Sequence, residues 1–133
     1  GPFYLSAQAV NMMKDGSGGA IVNVASINGI SPGDKQGIYS MTKAAMINMT
    51  KAYAREYGPF GIRVNAICPG LIDTNMTAVF KSDEKVLKSY TDHFPINRMG
   101  QPEDMVGGVL YLASDAAAYT TGIAMVMDGG FTA

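Results

Sequence analysis

Two short runs of almost unbroken apolar residues, AIVNVAS at Ala20–Ser26 and IRVNAIC at Ile62–Cys68, constrain this chain more than any other feature. Both are rich in β-branched residues and shorter than a globular helix, which suits strands buried on both faces of a parallel sheet. Between them, Ile38 to Tyr57 is rich in Ala, Met and Lys and is closed by GPFG, the Gly and Pro that a helix stop needs. Strand, helix, strand in that order is a crossover long enough to join parallel neighbours. A helix is also expected from Phe3 to Met13, stopped by KDGSGG, and a loop over INGISPGDKQG. PEDMVGGVLYLASD starts with proline, carries acids in its first turn and keeps an apolar face, so a helix begins at Pro102. GIAMVMDGG supplies a third strand with a glycine-rich end. The chain therefore reads as α/β, about three parallel strands with crossover helices.

Composition narrows the function classes. The 133 residues are 47% hydrophobic and 16% charged, enough for one domain with a real core. Ten basic and eleven acidic side chains nearly cancel, and no basic stripe marks a nucleic-acid partner. No apolar run is long enough to span a bilayer and no secretory leader opens the chain, so neither a membrane nor an export route is expected and the cytoplasm is the default. Cys68, the single cysteine, reads as a small buried hydrophobe. His93, the single histidine, has no companion at metal-ligand spacing, and no metal site is expected.

The chemistry concentrates in GIYSMTKAA, where Tyr39 precedes Lys43 by four residues, so a helix sets one above the other. A phenol titrates near ~10 and works as an acid-base group at neutral pH only when a cation close by favours its ionised form. Lys43 is placed to be that cation. Ser26 closes the first strand, and open α/β sheets build their sites at the carboxyl ends of their strands. A lysine four after a tyrosine is no rarity in a chain with seven tyrosines, but none of the other six has one. Pro69-Gly70, after the second strand, reads on its own as a plain turn. The stretch from Leu71 to Pro95 fits either a lid with one or two short helices between Thr74 and His93 or an ordinary connection.

Taken together, IVNVAS, YSMTKAA, GIRVNAICPGLIDTNM, RMGQPEDMVGGVLYLASD and TGIAMVMDGG resemble the short-chain dehydrogenase/reductase family over the whole chain, including the thirteen-residue step from Ser26 to Tyr39. The resemblance implies a Rossmann-like, doubly wound parallel sheet and a hydride transfer between NAD or NADP and a small alcohol/carbonyl substrate. By it Tyr39 is the general acid-base, Lys43 lowers the tyrosine's pKa and holds the nicotinamide ribose, and Ser26 orients the substrate oxygen. Pro69, Gly70, Ile72 and Thr74 join Tyr39 and Lys43 as cofactor residues, with the backbone near Ile72 bonding the carboxamide. Asn28, Gln36, Met76 and Phe80, with Ser26, are candidates for the substrate pocket, and Asn65 is read as structural. A homo-tetramer is implied, with the Ile38–Tyr57 helix and the last strand and helix at its contacts.

The chain also departs from the family. The glycine-rich turn that receives the pyrophosphate, an NNAG-like segment and the asparagine that completes the catalytic group do not occur in it; the glycines of DGSGGAIVN precede a strand instead of opening a helix after one. The first strand is apolar enough for the middle of a sheet, yet nothing before it in the chain can pair with its other edge. The expectation is a single partial Rossmann-like domain, residues 1–133, the C-terminal half of an enzyme, inactive by itself and cut from something longer or opening on a processing scar. Within the family an enoyl reductase is disfavoured, because those usually space the tyrosine and lysine more widely. The alternatives are an epimerase or dehydratase of the same family, or a non-catalytic scaffold or oligomerisation module keeping the fold.

Overall fold

The computed structural model describes residues 1–81 and 83–133, with Phe80, Lys81 and Val86 described in their backbone alone. Its helices are α1 (Pro2–Met13), α2 (Gly37–Tyr57), α3 (Ala78–Lys81), α4 (Glu84–Thr91) and α5 (Pro102–Ala113). The strands are β1 (Gly19–Val24), β2 (Ile62–Pro69) and β3 (Ala124–Met127). They form one parallel sheet in the order β1-β2-β3, with Gly19 opposite Ile62, Val24 opposite Ile67, and Ala66 opposite Ala124. This is the α/β, Rossmann-like layering expected from the two apolar runs. Among the described residues, no helix is long and apolar enough to cross a membrane.

Helices cover the two faces of β2 differently. Ile62 and Val64 pack with Val10 of α1 and Tyr53 and Ala54 of α2, while Ala66 and Cys68 pack with Ala25, Ile27 and Ile47. Side chains alternate along a strand. Arg63 accordingly turns the other way, where its guanidinium donates to the carbonyls of Leu112 (2.8 Å) and Ser114 (3.0 Å), closing the end of α5 with the cation that a helix C-terminus favours.

β2 is buried along nearly its whole length, as its sequence predicts, but β1 is only half-buried, and Val24 is exposed. The reason is topological. β1 has β2 on one side and no strand on the other among the described residues, so part of its apolar surface has no cover.

Two buried asparagines tie the layers. Asn23 of β1 donates to the Thr50 hydroxyl (2.9 Å), which donates to the Met46 carbonyl within α2 (2.9 Å). Asn65 of β2, fully buried, donates to the Thr120 carbonyl (2.9 Å) and accepts the Ile123 N–H (3.2 Å), fixing the approach to β3. Both ends of its amide are satisfied, in line with the structural role read from the sequence. Replacing Asn65 by Ala orphans both backbone groups, and about 2–3 kcal/mol of stability is expected to be lost in urea unfolding.

The start of α5 is held by a bidentate pair. Arg98 donates to both carboxylate oxygens of Asp104 (2.6 and 3.0 Å), and Asp104 also accepts the Gln101 N–H (2.6 Å). These bonds, Arg98 first, hold the Asp104 carboxyl down to about 2. A carboxyl lowered on folding stabilises fully above its unfolded value and loses that contribution as pH falls through the folded one. In a carbon-detected NMR titration, Asp104 is expected to titrate near 2, and Arg98→Met to return its midpoint toward the ordinary carboxylate range near ~4.

Candidate active site

β1 ends at Val24, and the chain leaves the sheet through Ala25 and Ser26. Ser26 is the cap of a single 3-10 turn, Ile27–Gly29: its backbone is extended, and its Oγ accepts the Asn28 N–H at 3.2 Å. That bond fixes the side chain and leaves the hydroxyl proton free to be given elsewhere. The turn then crosses α2 at close range. A Cβ on Gly29 would lie 2.7 Å from the Lys43 carbonyl carbon and 2.8 Å from its oxygen, so only glycine lets the segment after Ser26 rest on the backbone of Lys43.

Tyr39 lies in the first turn of α2, and Lys43 follows one turn later. The Lys43 ammonium stands 5.5 Å from the centre of the Tyr39 ring and donates to the Val24 carbonyl at 3.0 Å. The lysine thus joins the helix to the end of β1, a link across nineteen residues that spacing within the helix does not reveal.

The end of β2 forms the opposite wall. Gly70 donates its N–H to the Met127 carbonyl at 3.1 Å, and a Cβ there would lie 2.8 Å from both Cα and Cβ of Asp128, so this turn needs glycine for its close approach to the end of β3. Beyond it, Ile72 pairs in parallel with Gly100 through the bonds of its neighbours: Gly100 N–H to Leu71 O (3.0 Å) and Asp73 N–H to Gly100 O (2.8 Å). The Ile72 amide therefore points to the other side. Its carbonyl accepts the Thr77 hydroxyl at 2.5 Å, and its N–H has no hydrogen-bond partner among the described residues. Thr74 and Thr77 close a capping box at the next turn, Asn75–Thr77.

These elements enclose one cleft of about 640 Å³. Ser26, Tyr39 and Lys43 line one side of it, Pro69, Gly70, Ile72 and Thr74 the other, and Met76 its rim. Ser26 is buried, while Tyr39 and Met76 are exposed. Asn28 and Gln36 are not among the lining residues and instead are hydrogen-bonded to each other, Asn28 Nδ2 donating to Gln36 Oε1. The Phe80 side chain lies outside the described residues. The cleft also has a wall the sequence reading did not assign to it: Met105, Val106, Val109 and Leu110 of α5. Their apolar periodicity was the available signal, but it reads equally well as ordinary core.

Two further reactive groups are not among the residues that line the cleft. Cys68 is fully buried and its thiol is pushed up by that burial, as befits a small hydrophobe. His93 is exposed, with Nδ1 2.6 Å from the Ser89 carbonyl. No group of three His, Cys, Asp or Glu among the described residues is arranged to hold a metal ion.

A family model described as enoyl-(acyl carrier protein) reductase matches residues 1–132. Among curated proteins the chain is 39% identical to L-rhamnose 1-dehydrogenase (NAD(P)(+)) of Azotobacter vinelandii over 96% of its own length and 50% of that protein. It is 38% identical to 3-oxoacyl-[acyl-carrier-protein] reductase FabG of Aquifex aeolicus, over 98% of its length and 52% of the relative. Among solved structures, a 4-hydroxyisoleucine dehydrogenase mutant complexed with NADH and succinate superposes with a TM-score of 0.95 at 36% identity, over 98% of this chain and 54% of that one. The chain spans about half the length of the curated relatives it matches. The sequence and fold matches each extend over nearly the whole of this chain, and the chain belongs to the short-chain dehydrogenase/reductase family.

Proposed function

We propose that this chain carries the catalytic half of an NAD(P)-dependent dehydrogenase or ketoreductase acting on a small alcohol/carbonyl pair. The observation that carries the reading is the meeting of Ser26, Tyr39 and Lys43 with the Pro69–Thr74 backbone around one cleft. In this reading residues 1–133 are a single partial Rossmann-like domain. The half-length match to the relatives and the edge of β1, which has no partner strand among the described residues, both favour it.

The residues divide the work by chemistry. A bound nicotinamide supplies or takes up the hydride. Ser26, its Oγ lone pair already engaged by the Asn28 N–H, gives its O–H to the substrate oxygen and holds it where charge develops. Tyr39 gives that oxygen a proton in reduction and removes the alcohol proton in oxidation. The Lys43 ammonium, 5.5 Å from the ring centre, supplies the positive charge that a phenolate needs nearby. The free Ile72 N–H suits a carboxamide oxygen, and Pro69, Gly70, Thr74 and Lys43 complete the residues that would hold NAD or NADP.

The names of the relatives, a sugar dehydrogenase and a 3-oxoacyl reductase, favour a hydroxyl or carbonyl substrate. The step of four residues from Tyr39 to Lys43 favours this over the enoyl reduction in the family model's description. Met76, Ile72 and the α5 wall suit a moderately apolar ligand. The same reading takes the assembly as a cytoplasmic homo-tetramer, and exposed Phe3, Leu5, Ile38 and Met41 on α1 and α2 suit a subunit contact.

Tyr39→Phe in the protein that carries this chain tests the assignment. NAD(P)-linked turnover is expected to fall by about 10²–10⁴-fold, the usual worth of a positioned acid-base group, with assembly unchanged by light scattering. Turnover equal to the parent's would overturn it, and a parent with assembly but no turnover on any alcohol or carbonyl would favour a scaffold.

A further inference from the structure

Ser26 leaves the sheet between two residues that both pack on Cys68. Val24 lies opposite Ile67 in the pairing of β1 with β2, so the chain steps through Ala25 to Ser26 alongside Cys68 and Pro69. Ala25 and Ile27 are buried with Cys68 in one apolar cluster, which Ile47 of α2 joins. Ser26 is itself buried, and Cys68 is fully so. The Ala25 N–H still donates to the Ile67 carbonyl (2.8 Å), but no backbone carbonyl among the described residues accepts the next N–H, that of Ser26.

A buried N–H without a partner is costly, and folded chains seldom leave one. Here the partner is the sulfur of Cys68. Burial pushes the thiol up, and two groups act against that rise: the Ser26 N–H, which donates to the sulfur, and the Lys43 ammonium. A thiol is a weak acceptor, yet alanine and valine, which could fill the same core position, offer none. One sulfur thus meets the backbone of Ser26 and feels the charge of Lys43, on the strand whose end, Pro69-Gly70, lines the cleft.

We propose that Cys68 is a positioning residue, fixing through the Ser26 N–H and the packing of Ala25 and Ile27 the backbone from which the Ser26 hydroxyl reaches the substrate oxygen. The proposal rests on the reading of Ser26 given above. Cys68 is fully buried and is not among the residues lining the cleft, so its influence on the reaction passes through Ser26. The Ser26 Oγ is tied to its own turn by the Asn28 N–H, so a displaced backbone carries the hydroxyl with it. Small misplacements of a group that holds the reacting oxygen are costly in rate.

The test compares Cys68→Ala, Cys68→Val and Cys68→Ser in the protein that carries this chain, with L-rhamnose and NAD⁺ or NADP⁺, and a 3-oxoacyl thioester with NADPH, as probes. Alanine removes the acceptor and some volume, valine restores volume alone, and serine restores an acceptor alone. Cys68→Ala is expected to lower kcat about tenfold with the KM for the cofactor little changed, Cys68→Val to stay as slow, and Cys68→Ser to recover most of the loss. Recovery with valine, no recovery with serine, or no loss with alanine each overturns the proposal, the first in favour of packing alone. Should Cys68→Ser fail to fold, Cys68→Thr takes its place, since threonine differs from valine in shape hardly at all and in the acceptor entirely. If the parent turns over neither probe, hydrogen exchange of the Ser26 N–H decides separately. Faster exchange in the alanine and valine variants than in the parent and the serine variant supports the role of the sulfur, and equal exchange in all overturns it whatever becomes of the hydride-transfer reading.

Discussion

The parallel pairing of β2 between β1 and β3 is the constraint from which the rest of the structure follows. Parallel strands cannot be joined by a tight turn, so each connection must travel back along the sheet. α2 makes that journey between β1 and β2, and α5 makes it between β2 and β3. Because all three strands run the same way, their carboxyl ends open together at one edge of the sheet, and Ser26, Pro69 and Gly70 come from just there. The cleft is therefore a product of connectivity before it is a product of any single side chain.

Polar bonds then fix what the apolar core leaves adjustable. Packing of Ile62, Val64, Ala66 and Cys68 against α1 and α2 determines which face a helix covers, but tolerates small sliding along the strand. Asn23 to Thr50, Asn65 to the Thr120–Ile123 turn, and Arg63 to the end of α5 each have one bonding geometry, and each joins β1 or β2 to a different neighbour. A shift of the sheet by even part of a residue would leave buried donors and acceptors unmatched.

Much of this was legible in the sequence, for reasons that differ from element to element. The helices at Pro2–Met13, Gly37–Tyr57 and Pro102–Ala113 have periodic apolar faces with Gly or Pro at an end; the observed limits of the first two and the start of the third lie within a residue of those expected. The strands were legible as apolar runs, though Ser26 proved to cap a turn instead of ending β1, because its hydroxyl bonds a local amide. The grouping of Ser26, Tyr39 and Lys43 followed from strand-end topology and helical spacing, both short-range rules. What stayed hidden was long-range or aperiodic: Arg63 reaching Leu112 across 49 residues, the α5 wall of the cleft, and Asn28 meeting Gln36 across a loop without any period. The half-exposure of β1 was hidden for another reason, since composition reports how apolar a strand is and not how many neighbours it has.

The bond from Lys43 to Val24 has a bearing on that exposed strand. The Ala25 N–H turns toward β2, where it meets the Ile67 carbonyl, so the Val24 carbonyl one residue earlier faces the open side of the sheet, and it is there that Lys43 meets it. In the partial-domain reading this open side is where a further strand of the same sheet would lie, and such a strand has to stop short of the Val24 carbonyl or displace the ammonium, so the charge that lines the cleft also sets how far that pairing can run.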